Sequence, residues 1–309
     1  MAENSAIEWT DHTFNPWEGC QKLGPGCDHC FAEARNARFS GGVAANWGPG
    51  APRRRTSDAN WRKPLHWQAE AARTGIRPRV FCASLADVFD NAVHPDWRSD
   101  LFELIHRTPD LDWLLLTKRI GNVARMIWAD GEMTALPANV WLGATIINQE
   151  EADRDIPKLL AVPAKVRFLS MEPLLAPVDL GRICIVPQVK GAARAGIHID
   201  ALRGRYVESG MAYIGDWDVN GLYPDDASTL SLDWVIVGGE SGPGARPMQP
   251  NWARSLRDQC AAAGVPFLFK QWGAWAPLPS ARDADQLYLT TKKAAGRLLD
   301  GVQHDGMPA

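Results

Sequence analysis

Short apolar runs alternate along the chain with stretches in which apolar residues recur at three and four, and this alternation organises the sequence. The runs predict strands over residues 7–13, 79–84, 113–117, 140–145, 166–170, 234–238 and 266–270. Helical periods fall between them, at about 32–38, 96–107, 121–129, 149–160 and 251–263. Repeated strand-helix units of this kind predict an α/β protein with a parallel sheet and crossover helices. With about six to seven such strands, the expected architecture is a partial or complete (β/α) barrel over residues 1–275. Residues 182–232 break the rhythm, with Gly, Asp and Tyr at turn-like spacing and no clear period. They are expected as an insertion between the fifth and sixth units, placed where a lid could form. Residues 276–309 turn Ala/Pro-rich and then basic, a C-terminal extension.

The ends of the predicted strands carry the chemistry. Active sites on barrels of this class sit at the C-terminal ends of the strands, and here those ends are polar. The second strand runs into Ser84 and Asp87, the third into Thr117 and Lys118, and the fourth into Thr145 and Asn148. The fifth gives Glu172, the sixth Gly238, Gly239 and Glu240, and the last Lys270 and Gln271. Any one of these has a plain reading as a loop polar or a helix cap. Six polar ends together point to a site.

Composition narrows the class. The 309 residues are 46% hydrophobic and 22% charged, enough for a sizeable core, and the net charge of -3 supplies no global field for nucleic acid. One local run departs from that balance: Arg53, Arg54 and Arg55 precede Trp61, Arg62 and Lys63, a basic and aromatic mixture that suits backbone tracking and base stacking. The competing reading is a solvated basic loop followed by tryptophans packed on the barrel exterior. Neither a long apolar run nor a basic-then-apolar leader opens the sequence, so a cytoplasmic protein with no membrane partner is expected.

Six cysteines are present, and three of them, Cys20, Cys27 and Cys30, fall within eleven residues. The other three, Cys82, Cys184 and Cys260, are scattered, which is no disulfide framework. A closed zinc site takes four ligands, so the cluster of three would need His12 or His29 as a fourth. An iron-sulfur cubane held by three thiolates instead leaves one iron open. The loop spacing leaves both metals possible.

The motifs together resemble the phage Gp37/Gp68 family, a three-Cys-motif family of unknown function, which is itself similar to radical S-adenosylmethionine enzymes of the spore photoproduct lyase type. The resemblance runs nearly end to end. It covers Ile7 to Asp11 with Asn15-Pro16-Trp17, the cysteine loop, Ser84 to Phe89 and Trp113 to Arg119. It continues through Ser170 to Leu174, Val235 to Gly242, Phe269 to Gly273 and Ala295 to Gly301. The loop departs from the wider superfamily in its first gap, where six residues separate Cys20 from Cys27, and Gly24-Pro25-Gly26 supplies a turn for the detour.

The resemblance implies a radical-SAM-like barrel in which Cys20, Cys27 and Cys30 hold a 4Fe-4S cluster and S-adenosylmethionine binds the open iron. It implies a 5′-deoxyadenosyl radical as the reactive species and a flavodoxin- or ferredoxin-like one-electron donor as partner. His29 stands where the superfamily places an aromatic beside the adenine, with Phe31 close by. Gly238-Gly239-Glu240 matches in letters the motif that holds the methionine amino group, although that motif usually follows the second strand. Ser84 and Asp87 are expected near the cofactor, with Thr117, Lys118, Glu172, Glu240 and Lys270 facing cofactor or substrate. Cys82 is a candidate to return hydrogen to a product radical, as a cysteine does in the lyase. DNA or a nucleotide is the implied substrate. Two other readings stay open: a radical enzyme acting on a small metabolite or peptide, and a zinc-stabilised binding protein on a barrel scaffold.

Overall fold

The computed structural model of the chain describes residues 5–128, 136–186, 196–207, 231–278 and 286–309. Its main sheet is built from β1 (His12–Thr13), β4 (Arg79–Cys82), β5 (Asp112–Thr117), β6 (Val140–Thr145), β7 (Val166–Met171), β11 (Trp234–Gly238) and β12 (Phe267–Gln271). Those seven strands lie in the order in which the chain makes them. The pairings of β1 with β4, β4 with β5, β7 with β11 and β11 with β12 are parallel. Sequential parallel order is the winding of a partial (β/α) barrel, as the hydrophobic pattern predicted. Residues of β6 and β11 are buried throughout, the signature of strands covered on both faces.

The chain divides into two compact units, Met1–Gly143 with Pro163–Lys165, and Ala144–Val162 with Val166–Ala309. In the first unit, β1 is far shorter than the expected 7–13. Thr10 and Asp11 spend their side chains on β4: Thr10 Oγ1 donates to the Arg79 carbonyl and accepts from Phe81 N, and Asp11 Oδ2 accepts from Arg79 N. These bonds accompany a backbone bond from Asp11 N to the Arg79 carbonyl. Trp61 and Lys63 of the expected basic and aromatic mixture belong to helices, α2 (Asp58–Trp61) and α3 (Lys63–Thr74), the latter burying Pro64, Trp67 and Ala71 on one face. The small pair β2 (Trp17–Glu18) and β3 (Arg54–Arg55) lies before them. α1 (Phe31–Phe39), α4 (Pro95–His106) and α5 (Ile120–Trp128) fall where periodicity placed them, although Ala129 of the helix expected over 121–129 lies outside the described residues.

In the second unit, α6 (Gln149–Leu160) starts at Asn148, whose side chain accepts from Glu151 N while Glu151 accepts from Ile147 N. This reciprocal cap is what Asn followed three residues later by Glu encodes. α7 (Pro250–Ala263) ends at Gly264 in the left-handed conformation. The described part of the expected insertion is an antiparallel sheet of β8 (Ile183–Val186), β9 (Ile197–Asp200) and β10 (Arg205–Val207). It is tied to the helices: Cys184 N donates to Asp153 on α6, and Arg203 donates to the Ala262 carbonyl on α7. Residues 187–195 and 208–230, on which the lid expectation also falls, lie outside the described residues.

The C-terminal residues are structural. After β13 (Trp275–Pro277), β14 (Leu287–Leu289) and α8 (Lys292–Ala295), the tail runs beside β12. Phe269 N donates to the His304 carbonyl, Gly306 N to the Phe267 carbonyl, and the buried Trp234 Nε1 to the Gly306 carbonyl. The tail thus covers an edge that would otherwise present unpaired backbone groups. A Cβ on Gly306 would lie 2.7 Å from Phe267 N and 2.8 Å from its carbonyl oxygen. Gly306→Ala is therefore expected to lower stability by about 1–3 kcal/mol, measured by urea unfolding, with an unchanged midpoint counting against the role given to the tail.

Candidate functional site

In the first unit the cysteine loop leaves the end of β2 and runs alongside the segment that follows β4. Asn15, 1% exposed, is the staple: its Oδ1 accepts from Leu85 N at 2.8 Å and its Nδ2 donates to Ser84 Oγ at 3.0 Å. Gly19 N donates to the Leu85 carbonyl, and Gly19 sits at φ 114° with its α-carbon against Asn46. A Cβ there would lie 2.5 Å from the Asn46 carbonyl oxygen, so only glycine lets the backbones meet. Beyond it come Cys20, a 3-10 turn over Pro25–Cys27, and Cys30, the residue immediately before α1.

Arg119 locks this loop to the end of β5. Its Nη1 donates to Cys20 Sγ at 3.3 Å and its Nη2 to the Gln21 carbonyl at 3.0 Å. The guanidinium is buried against Asp87 Oδ2 at 3.2 Å and Asp90 Oδ1 at 3.8 Å. Asp87, expected beside a cofactor, has its oxygens engaged by protein donors: Thr117 Oγ1 at 2.8 Å, Lys118 N at 3.0 Å and Phe89 N at 2.9 Å. Its role is to hold Arg119 and the strand ends. Burial pushes the Cys20 thiol up to about 11, against the pull of the Arg119 charge and with that of Asp87 adding to the rise.

The basic run is spent internally. Arg53 is buried against Asp90 at 2.7 Å, Arg54 pairs with Glu18, and Arg55 pairs with Asp100 while lying over the Trp61 ring at 4.0 Å. The arginines therefore do not form the free basic track that the sequence suggested. Trp17, Trp67, Trp113 and Trp234 are core residues. His12 stacks on Trp67 with ring centroids 4.2 Å apart. His29 and Phe31, expected near an adenine, are exposed. Cys82 ends β4 with no exposed surface, and burial alone pushes its thiol far up.

In the second unit the ends of β7, β11 and β12 gather Glu172, Lys270 and Gln271. Glu172 Oε2 accepts from Lys270 Nζ at 2.5 Å and Oε1 from Gln271 Nε2 at 2.6 Å. Adjacent strand residues normally point to opposite faces. Here the register slips between Val237 and Gly238, so that Val237 pairs with Phe269 and Gly238 with Gln271. The bulge lets Lys270 and Gln271 reach the same carboxylate. Gly238 makes room, since a Cβ there would lie 3.2 Å from Glu172 Cδ. Gly239 packs on the Trp272 carbonyl, where a Cβ would lie 1.9 Å away. Glu240, a candidate for holding an amino group, is tied to Arg246 through the side chain at 2.5 Å and the backbone N at 2.8 Å.

Among the described residues, no group of three or more His, Cys, Asp or Glu side chains is gathered so as to hold a metal ion. Cys20, Cys27 and Cys30 are free thiols on one segment, with an arginine donating to the first. No described helix is long and apolar enough to cross a membrane. Arg119, Asn15 and Gln271 were within reach of sequence reading only as letters inside larger motifs.

Two outcomes test this geometry. Asp87→Ala leaves Arg119 buried without its nearest carboxylate and is expected to cost about 3–5 kcal/mol, read by chemical denaturation. Cys82 is expected to resist iodoacetamide in the native protein at pH 8 and to react on unfolding, whereas Cys30 reacts in both states. Peptide mapping by mass spectrometry decides it, and native labelling of Cys82 would contradict its burial.

No curated protein and no solved structure matches the chain at a significant level. A family of unknown function covers nearly the whole sequence, consistent with the phage-type resemblance in its motifs and without a link to radical enzymes. By that match over residues 4–308, the chain belongs to the family described as Protein of unknown function (DUF5131).

Proposed function

We propose that the chain is a radical S-adenosylmethionine enzyme whose cluster is held by Cys20, Cys27 and Cys30 and whose substrate is a nucleotide or nucleic acid. The observation that carries this reading is the seat of the cysteine loop, which follows the short strands β1 and β2 and is fixed to the segments after β4 and β5 by Asn15, Gly19 and Arg119. Strand C-terminal ends are where this class of fold assembles its chemistry. A three-thiolate 4Fe-4S group would supply one-electron cleavage of S-adenosylmethionine to a carbon radical able to take hydrogen from an unactivated position.

The chain's own residues have definable parts in this proposal. Arg119 donates to Cys20 Sγ, and such a bond lowers the electron density on a thiolate sulfur and offsets its charge. Asp87 keeps Arg119 in place while the backbone N of Lys118 and the Thr117 hydroxyl fix Asp87. Asn15 and Gly19 hold the loop's first arm in register, so Cys20 has little freedom before a metal arrives. Glu172, Lys270 and Gln271 form a polar ligand-facing cluster in the second unit. The nucleotide class is supported by the resemblance to lyase-type enzymes, since Arg53, Arg54 and Arg55 are already paired.

Anaerobic reconstitution with iron and sulfide, followed by electron paramagnetic resonance of the reduced protein, tests the proposal. A cluster signal is expected that changes on addition of S-adenosylmethionine and is lost in Cys27→Ala. Stoichiometric zinc with no iron would instead support a metal-stabilised binding protein and overturn the radical reading. Turnover of a small metabolite or peptide, with none on nucleotides, would overturn the substrate class alone.

A further inference from the structure

The helix that follows the cysteines turns its large apolar side chains outward. α1 buries Ala32 and Asn36 and leaves Phe31 and Phe39 exposed, at 73% and 72%. A surface helix ordinarily does the reverse. Leu23 and Val43, on either side of it in sequence, are exposed as well. Four of the ten large apolar side chains exposed among the described residues thus fall between positions 23 and 43. Exposed apolar residues scattered singly are ordinary, whereas a concentration of them marks a surface that meets a partner.

The charges on this face select the partner. Helical spacing puts Phe31, Arg35 and Arg38 on one side of α1, with Phe39 at its edge. The Arg35 and Arg38 guanidinia lie 5.0 and 5.8 Å from the centre of the Phe39 ring. Arg35 pairs with Glu18 at 3.5 Å, but Glu18 also takes Arg54, its partner across β2 and β3. Arg38 is exposed and enters no ion pair among the described residues. Glu33 is matched by Lys22 at 3.1 Å. Asp28 stands in the loop before Cys30, at the other end of the helix from Arg38 and Phe39. Arg35, Arg38 and Arg54 therefore have one carboxylate among them, Glu18, and the excess of positive charge complements an anion. The same excess repels a second copy of this chain.

Phe31 and Phe39 are eight positions apart, about 12 Å along the helix axis. At about 3.4 Å per stacked nucleotide, that distance spans about four nucleotides. Aromatic rings for the bases and cations for the backbone are what proteins present to a single strand. We infer that the outer face of α1 binds single-stranded nucleic acid, with Phe31 and Phe39 stacking on bases and Arg35 and Arg38 meeting phosphates. A duplex suits the face less well, because its base faces are already stacked on one another. Phe31 directly follows Cys30, so a strand held here lies beside the cysteine loop. As the identity of the substrate this rests on the function proposed above, whereas the binding itself requires no cluster.

The test is fluorescence anisotropy of a labelled oligothymidylate titrated with the full-length chain at low salt. Saturable binding is expected, and weaker binding of a duplex of the same length. Phe31→Ala and Phe39→Ala are each expected to weaken binding about fivefold or more. Arg38→Gln is expected to weaken it and to reduce the slope of log affinity against log salt by about one. Lys292→Gln, which removes an exposed cation on α8, is expected to leave binding unchanged. The altered side chains are exposed, and circular dichroism checks that each variant is folded. Absence of saturable binding would overturn the assignment, as would equal affinity for the duplex or no effect of the phenylalanine variants. A loss in Lys292→Gln equal to that in Arg38→Gln would reduce the binding to general charge attraction and overturn it too. Displacement of the oligonucleotide by an equal charge of polyglutamate would reassign the face to an acidic protein. A concentration-dependent dimer in sedimentation, abolished by Phe39→Ala, would reassign it to a second copy. Because no metal is involved, failure here is separate from failure to form a cluster.

Discussion

A parallel sheet covered on both faces can carry polar side chains only at its ends, and that constraint arranges everything of chemical interest in this protein. Residues of β6 and β11 are buried from first to last. Unpaired polar groups along them would lack water and partners alike. Charge is accordingly displaced to the residues that follow the strands, where side chains meet those of neighbouring strand ends.

The two units answer this constraint in different ways. In the first, Asp87 and Arg119 form a buried pair whose remaining capacity is consumed by Thr117, Lys118 N and the cysteine loop. Buried ion pairs add little net stability over apolar packing, but this one fixes where the loop lies. In the second, Glu172 is shared by Lys270 and Gln271, and one acceptor remains over. The first arrangement is closed upon itself and suits a scaffold. The second leaves Lys270 and Glu172 partly exposed.

Close backbone approaches support both arrangements. Gly19 lets the loop pass Asn46, and Gly239 lets the end of β11 lie on the Trp272 carbonyl. A side chain at either point would move a segment bearing a candidate functional residue. The tail from Gly296 to Gly306 contributes more remotely, by giving β12 a covered edge.

The sequence by itself determined the alternation of strands and helices, because burial periodicity is local and each period is written in neighbouring residues. The bounds of β6, β11 and α6 agree with that reading to the residue. It also determined the three-cysteine loop and the polar strand ends as places of interest. It missed α3, whose charged exposed face hid the buried stripe of Pro64, Trp67 and Ala71, and it overextended β1, where Thr10 and Asp11 bond β4 through their side chains as well as through Asp11 N. Only the tertiary structure decided which polar groups meet. Cys20 and Arg119 are 99 positions apart, and Glu172 and Lys270 are 98. No local pattern encodes such pairs, and the loss of the basic run to Asp90, Glu18 and Asp100 belongs to the same class. A charge written in sequence states what a residue can do, while its partner in space states how much of that capacity remains.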